Sequence, residues 1–189
     1  MSKFNLRAAL LIAGVALVAP LGASVAYAQM TKMVGGAPMY PSKNIVENAI
    51  HSKDHTTLVA AVKAAGLVPT LEGAGPFTVF APTNEAFAKL PAGTVKTLLE
   101  PANKDKLAAV LTYHVVPGKL TAEDLSSKID AMGGHYPVQT VQGGSLSFSK
   151  MGNGIAVTDA KGDTAMVTIP NVMQSNGVIH VINTVLIPG

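Results

Sequence analysis

The chain has 189 residues, of which 14 are Lys or Arg, 11 are Asp or Glu and none is Cys. The lack of cysteine excludes thiol catalysis and every cysteine-based metal site. The basic residues are spread singly and do not form the arginine-rich stripe that nucleic-acid binding favours, so composition predicts no nucleic-acid partner.

Residues 1–28 have the pattern of a secretory signal peptide. Lys3 and Arg7 form a basic start, an apolar run follows over 8–18, and the small-residue pattern A-Y-A at 26–28 is typical of a cleavage site. The run is too short to favour a membrane span of about 20 residues; an uncleaved signal anchor is the alternative. The sequence thus predicts a secreted protein, periplasmic or extracellular, with no membrane span after cleavage and with 12 Lys against 11 acidic residues.

The mature chain is predicted to begin with an extended leader and to continue as one domain. Residues 29–41 contain two Gly and two Pro and show no periodicity, which is typical of a leader. Residues 42–189 carry continuous helix and strand patterns without an internal repeat, and their length suits a single domain.

Helices are predicted mainly in the first half of this domain, where apolar residues recur at helical spacing behind capping residues. Ser42 is predicted to cap the first helix, Asp54 or Thr56 the second, and Thr83 a third. The predicted helices cover residues 42–50, 56–65, 83–90, 91–99, 104–112 and 121–129.

Short strands are predicted mainly in the second half, separated by Gly-containing turns. Asn153-Gly154 is a strong hairpin signal. The last strand, 177–182, is nearly all apolar and is therefore predicted to lie inside a sheet. This arrangement predicts an α+β fold. The predicted extended segments cover residues 77–81, 113–116, 138–141, 145–149, 155–157, 166–169 and 177–182.

Three segments together resemble the fasciclin (FAS1) domain family. They are GPFTVFAPTNEAF at 75–87, LTYHVVPG at 111–118 and SNGVIHVINTVLIP at 175–188. The opening at 39–49 is similar to that of bacterial secreted members, so the resemblance runs from about residue 40 to 188. It implies a FAS1-type fold, with helices packed around a wedge of short, mostly antiparallel strands. It also implies a secreted adhesion or interaction module that is not an enzyme.

The resemblance also supplies four candidate binding residues. The family's Tyr-His pair falls on Tyr113 and His114. The Asp-Ile pair that animal members use for integrin binding falls on Asn171 and Val172, so an amide replaces the carboxylate. A hard cation prefers an anionic oxygen, so integrin binding through this motif is not expected. For Tyr113 and His114 two interpretations stay open: an exposed contact, or a half-buried, hydrogen-bonded junction between helix and strand.

The remaining titratable residues suggest neither a catalytic nor a metal site. His180 lies in an apolar strand, as a hydrogen-bonded core histidine would, and His135 lies in a loop. His51 and His55 have the spacing of a helical zinc site, but the residues between them break the helix and no third ligand is apparent. Glu123 and its neighbour Asp124 fit the first turn of a helix. No cofactor and no catalytic residue are predicted.

Two functions are compatible with this pattern. The first is a secreted, non-catalytic adhesion module that binds a cell-surface or matrix protein, a polysaccharide, or another copy of itself. The alternative is a carrier or sensor of a small apolar ligand in a cleft between helices and sheet. Such a carrier requires a cavity of several hundred Å³.

Overall fold

A computed structural model describes residues 31–189 of the chain. Within this range the helices are α1 (Ile45–Ala49), α2 (Thr56–Ala65), α3 (Val68–Glu72), α4 (Asn84–Ala88), α5 (Thr94–Leu99), α6 (Lys104–Tyr113) and α7 (Ala122–Ala131). The strands are β1 (Lys32–Val34), β2 (Ala37–Met39), β3 (Phe77–Pro82), β4 (Val115–Pro117), β5 (His135–Gln139), β6 (Ser145–Met151), β7 (Gly154–Thr158), β8 (Thr164–Gln174) and β9 (Gly177–Ile182). Among these helices, none has the length and apolar character needed to cross a membrane.

The main sheet of the described residues has seven strands in the order β4-β3-β9-β8-β7-β6-β5. Strands β3 and β9 are parallel, and every other neighbouring pair is antiparallel. The last strand, β9, is paired on both sides, which confirms the prediction that this apolar segment lies inside a sheet. The α+β class and the mostly antiparallel pairing of the strands are confirmed as well.

Alternating residues of the central strands supply two hydrophobic clusters on opposite faces of the sheet. Val79 and Ala81 of β3 pack under the helices of the first half, in a cluster that also includes residues of the β1–β2 hairpin. Phe80, between them, belongs to the second cluster, which α7 covers with Leu125 and Ile129. The sheet is therefore buried on both faces at its centre.

Capping residues explain where several helices begin. Thr83 accepts a hydrogen bond from the backbone N–H of Ala86 and caps α4, as predicted. Thr121 and Asp124 form a reciprocal capping box at the start of α7. The first helix differs from the prediction, because Asn44, and not Ser42, caps α1. Both residues are good caps, and only Asn44 has Glu47 three residues later to complete a capping box.

The predicted extended leader over 29–41 is corrected by the structure. Residues 32–39 form an antiparallel hairpin, β1–β2, whose inward side chains are buried: Val34, Ala37 and Met39. The turn packs against the domain at Gly35, where an added Cβ would lie 2.4 Å from Ser52 Oγ. Strands of three residues are too short to show the period of two, so this segment carries no strand signal in the sequence. The folded domain therefore begins before residue 42, and the predicted signal peptide lies outside the described residues.

Asn176, in the turn between β8 and β9, attaches two short helices to the sheet. Its Oδ1 accepts a hydrogen bond from the N–H of Ile45 at 3.1 Å. Its Nδ2 donates to the carbonyls of Leu71 and Gly73 at 2.8 and 2.9 Å. One buried amide thus fixes the start of α1 and the end of α3, a helix that the sequence did not predict.

Candidate functional site

Tyr113 is the last residue of α6 and is completely buried, with 0% of its surface exposed. Its hydroxyl donates to the carbonyl of Ser145 at 2.7 Å and accepts from the N–H of Ala160 at 3.0 Å. Burial raises the pKa of the Tyr113 phenol, so the hydroxyl stays protonated. The side chain joins the end of α6 to β6 and to the loop after β7.

His114, at the C-terminal end of α6, is buried with 2% exposure. Its Nε2 lies 3.0 Å from the N–H of Leu186 and accepts its hydrogen bond, which leaves Nδ1 to donate to the Val110 carbonyl at 2.8 Å. Burial lowers the pKa of His114 to about 4, although the Val110 carbonyl acts in the opposite direction. The imidazole is therefore neutral at physiological pH.

His114 and a neighbouring carboxylate, that of Asp159, hold the C-terminal segment. Besides the bond from Leu186 to His114, the N–H of Ile187 donates to Asp159 Oδ2 at 2.9 Å. The structure thus places Tyr113 and His114 inside the domain, hydrogen-bonded as the junction interpretation describes but completely buried instead of half-buried. Their direct contact with a partner stays a prediction.

Asn171 lies at an irregularity of β8, where the register with β9 shifts between Ile169 and Val172. Its φ is 55°, a left-handed conformation that few residues other than glycine adopt. Its Oδ1 accepts from the N–H of Ala122 at 2.7 Å, and its Nδ2 lies 3.0 and 2.8 Å from the two carboxylate oxygens of Glu123. Val172 is buried at 1% exposure, so of this predicted pair only Asn171 reaches the surface.

The carboxylate of Glu123 is held in one orientation by this contact. Its own backbone N–H and, next in size, the Asn171 amide lower the pKa of Glu123, so the side chain is anionic near neutral pH. Behind it, the backbone N–H of Asn171 donates to Nδ1 of the buried His180 at 3.3 Å. His180 in turn donates from Nε2 to the Leu120 carbonyl at 2.8 Å and stacks on Phe80, which confirms that it is a satisfied core histidine.

A polar groove of about 760 Å³ opens beside Glu123, between α7, the β6–β7 hairpin and β8. Hydroxyl groups and one amide line it together with the apolar side chains of Ile155 and Val167. Lys150 at its edge pairs with Asp130 at 2.6 Å. The polar side chains that line the groove are Glu123, Ser126, Ser127, Lys150, Asn153 and Thr168.

A second space, a cavity of about 70 Å³, lies between the helices of the first half and the sheet. Its lining is almost entirely apolar and extends from Val34 in the β1–β2 hairpin to Val141 beyond β5. His55 borders it, at 4% exposure. This volume is below the several hundred Å³ that the carrier alternative requires.

The histidines at 51 and 55 are placed differently from each other. His51 is exposed after α1, whereas His55 is buried and its Nδ1 lies 2.8 Å from Ser52 Oγ. Within residues 31–189, no group of three or more His, Asp or Glu side chains could hold a metal ion.

The comparison with known families shows to which family the chain belongs. Residues 53–188 match the family model described as the fasciclin domain. The chain belongs to the fasciclin family. It is 47% identical over 171 residues to protein sll1483 of Synechocystis sp., covering 87% of each chain. It is 39% identical over 131 residues to the transforming growth factor-beta-induced protein ig-h3 of Sus scrofa, covering 69% of this chain and 17% of that longer protein.

A solved structure shows the same fold at low sequence identity. The FAS1 domain pair of the insect cell adhesion molecule fasciclin I matches with a TM-score of 0.68 and 18% identity, over 76% of this chain and 50% of that one. This fasciclin domain therefore has the FAS1 fold, which the three signature segments predicted.

Sequence reasoning misses two features of this fasciclin domain. The sequence presents Glu123 only as a first-turn carboxylate, because its partner Asn171 lies 48 positions later in the chain. It presents His55 only as a possible zinc ligand, because nothing in its neighbours indicates an apolar cavity. Neither feature has a local sequence signal.

Proposed function

We propose that this fasciclin domain is a secreted, non-catalytic module that binds a cell-surface or matrix partner through the polar groove beside Glu123. The observation that carries the proposal is the fixed orientation of the Glu123 carboxylate at a groove lined with hydroxyl groups. Export follows from the predicted signal peptide. A role in adhesion is supported by the likeness to fasciclin I, which is an insect cell adhesion molecule.

The shape and chemistry of the groove suit recognition of a polar partner. Its volume of about 760 Å³ is in the range of small-molecule sites, which would accommodate a few sugar units or a protein side-chain cluster. A carboxylate that is already oriented loses little conformational entropy on binding. The left-handed backbone of Asn171 supports the same assignment, because such conformations cluster at functional sites.

Binding is favoured over catalysis by what the groove contains. Its hydroxyl groups come from Ser126, Ser127 and Thr168, and Glu123 is the one carboxylate among its described lining residues. Those lining residues include no histidine that could activate a hydroxyl nucleophile. Polysaccharide and protein partners both offer hydroxyl and amide groups that match this lining.

The experiment compares two arginine substitutions at exposed helical residues. Ser127→Arg places a long cation in the groove, whereas Thr97→Arg makes a similar change on α5, outside it. The purified proteins are passed over immobilised matrix polysaccharide and, separately, matrix protein fractions. We expect Ser127→Arg to reduce retention on one fraction at least about tenfold and Thr97→Arg to leave it unchanged. Equal retention of all three proteins, or retention of none, would contradict the proposal.

A further inference from the structure

Among the described residues, His55 Nε2 is the one buried side-chain nitrogen or oxygen without a hydrogen-bond partner. Burial lowers the pKa of His55, and the nearby Ala81 carbonyl acts in the opposite direction. The Ala81 carbonyl oxygen and His55 Nε2 nevertheless do not form a well-aligned hydrogen bond. An unpaired polar atom in a protein interior carries a desolvation cost and calls for an explanation. The adjoining apolar cavity, which His55 and Ala81 both border, offers one.

Water is a poor occupant for this cavity. A buried water normally makes two to four hydrogen bonds, and cavities with apolar walls remain dry. Of the other polar side chains at the wall, Lys63 and Thr70 are exposed to solvent. The remaining ones are already bonded within the protein: Ser52 to His55, Thr112 to the Ala108 carbonyl, and His114 to Val110 and Leu186. A water beside Nε2 would therefore keep most of its own hydrogen bonds unmade.

A molecule with an apolar body and one polar group suits both the apolar walls of the cavity and the unpaired His55 Nε2. The apolar walls accept its body, and its oxygen bonds to Nε2. The Ser52 hydroxyl can donate to Nδ1 or accept from it, so Nε2 is either a donor or an acceptor. An alcohol fits both cases, because its hydroxyl group both donates and accepts.

We propose that this cavity binds a small neutral molecule that carries one hydroxyl or carbonyl group, with His55 Nε2 as its polar contact. The volume of about 70 Å³ is about half that of an engineered cavity that binds the six-carbon ring of benzene. A molecule of about three non-hydrogen atoms therefore fits the cavity as it stands, and one of about five fits if the cavity widens slightly. None of the residues that border the cavity lines the polar groove, so this site is independent of the proposed adhesion surface.

The test is a titration of the purified protein with 1-butanol, followed by the backbone amide shifts in two-dimensional NMR. 1-Chlorobutane, of similar shape but without a hydroxyl group, is the control ligand. We expect saturable shifts at cavity residues such as Val59 and Ala81, and about tenfold weaker binding of 1-chlorobutane, as the loss of one buried hydrogen bond predicts.

Two variants make the result specific to His55. In Ser52→Ala/His55→Phe the imidazole is replaced by an apolar ring and no hydroxyl is left unpaired, so 1-butanol should lose its advantage over 1-chlorobutane. His51→Phe makes the same change at an exposed histidine and should bind like the wild type. If the double variant does not fold, Ala49→Leu, which extends a cavity-lining side chain, should abolish binding of both ligands. Absence of saturable shifts in the wild type, or equal binding of the two ligands to it, would overturn the proposal.

Discussion

Acidification should destabilise the domain between pH 6.5 and pH 4 because of the buried His114. In the unfolded chain this imidazole takes up a proton near its ordinary pKa of about 6.5. In the folded domain burial lowers its pKa to about 4, and Nε2 is occupied by the Leu186 N–H. Over this range the unfolded state therefore binds more protons than the folded state, and stability falls as pH falls.

The size of the effect follows from the two pKa values. Where the unfolded state binds one proton more than the folded state, the free energy of unfolding changes by about 1.4 kcal/mol per pH unit for each histidine. Integrated from pH 7, His114 alone removes about 2 kcal/mol by pH 5 and about 3 kcal/mol by pH 4, where the loss levels off. This is a large share of the roughly 5–15 kcal/mol that stabilises a typical domain. Burial also lowers the pKa of His55 and of His180, so the whole protein should lose more.

Urea denaturation at a series of pH values from 4 to 8 measures this loss, and His114→Gln isolates the contribution of one residue. Glutamine has an amide donor and acceptor but does not titrate, so the variant should lose about 3 kcal/mol less than the wild type between pH 7 and pH 4. His135→Gln, at an exposed histidine, should follow the wild type. The reasoning is refuted if His114→Gln and the wild type show parallel pH profiles.

Two further substitutions test the hydrogen bonds that hold the fold. Tyr113→Phe should lower the free energy of unfolding by about 2 kcal/mol, because the Ala160 N–H and the Ser145 carbonyl lose their partner inside the protein. Urea denaturation at pH 7 measures this loss. An unchanged free energy of unfolding would contradict the structural role of the Tyr113 hydroxyl. Asn176→Ala should cost about 3 kcal/mol or more, because three backbone groups lose their partner. Hydrogen exchange should then increase first in α1 and α3, and uniform exchange across the domain would count against this local role.

Elements with local signals are predictable from the sequence. Helix α2 is predicted to end at Gly66, and this glycine has the left-handed φ of 72° that a helix C-terminus favours. Strand β9 has the predicted bounds, because it is an apolar run that directly follows the turn at 175–176. Capping and turn chemistry depend on neighbours within a few positions, so the sequence displays them directly.

Elements held by distant contacts are not predictable in the same way. The β1–β2 hairpin has three-residue strands, and helix α3 depends on Asn176, more than a hundred positions away. Tyr113 is predicted to be extended, whereas α6 continues through it. Its β-forming side chain is accommodated at the helix end because the hydroxyl reaches Ser145 and Ala160. Tertiary contacts override local propensity at each of these positions.

Contacts between residues far apart in the chain also explain why the candidate site differs from what the motif positions suggest. At position 171 an amide stands where animal members carry a carboxylate, so the sequence predicts no integrin binding through this motif. In the structure the anionic group is Glu123, and the amide orients it with two contacts of 2.8 and 3.0 Å. An aspartate at 171 would place two carboxylates at this separation, where like charges oppose each other's ionisation. The amide of Asn171 therefore allows this fasciclin domain to present the Glu123 carboxylate in a fixed orientation at its groove. The motif identifies only Asn171, which lies 48 positions from Glu123 in the chain.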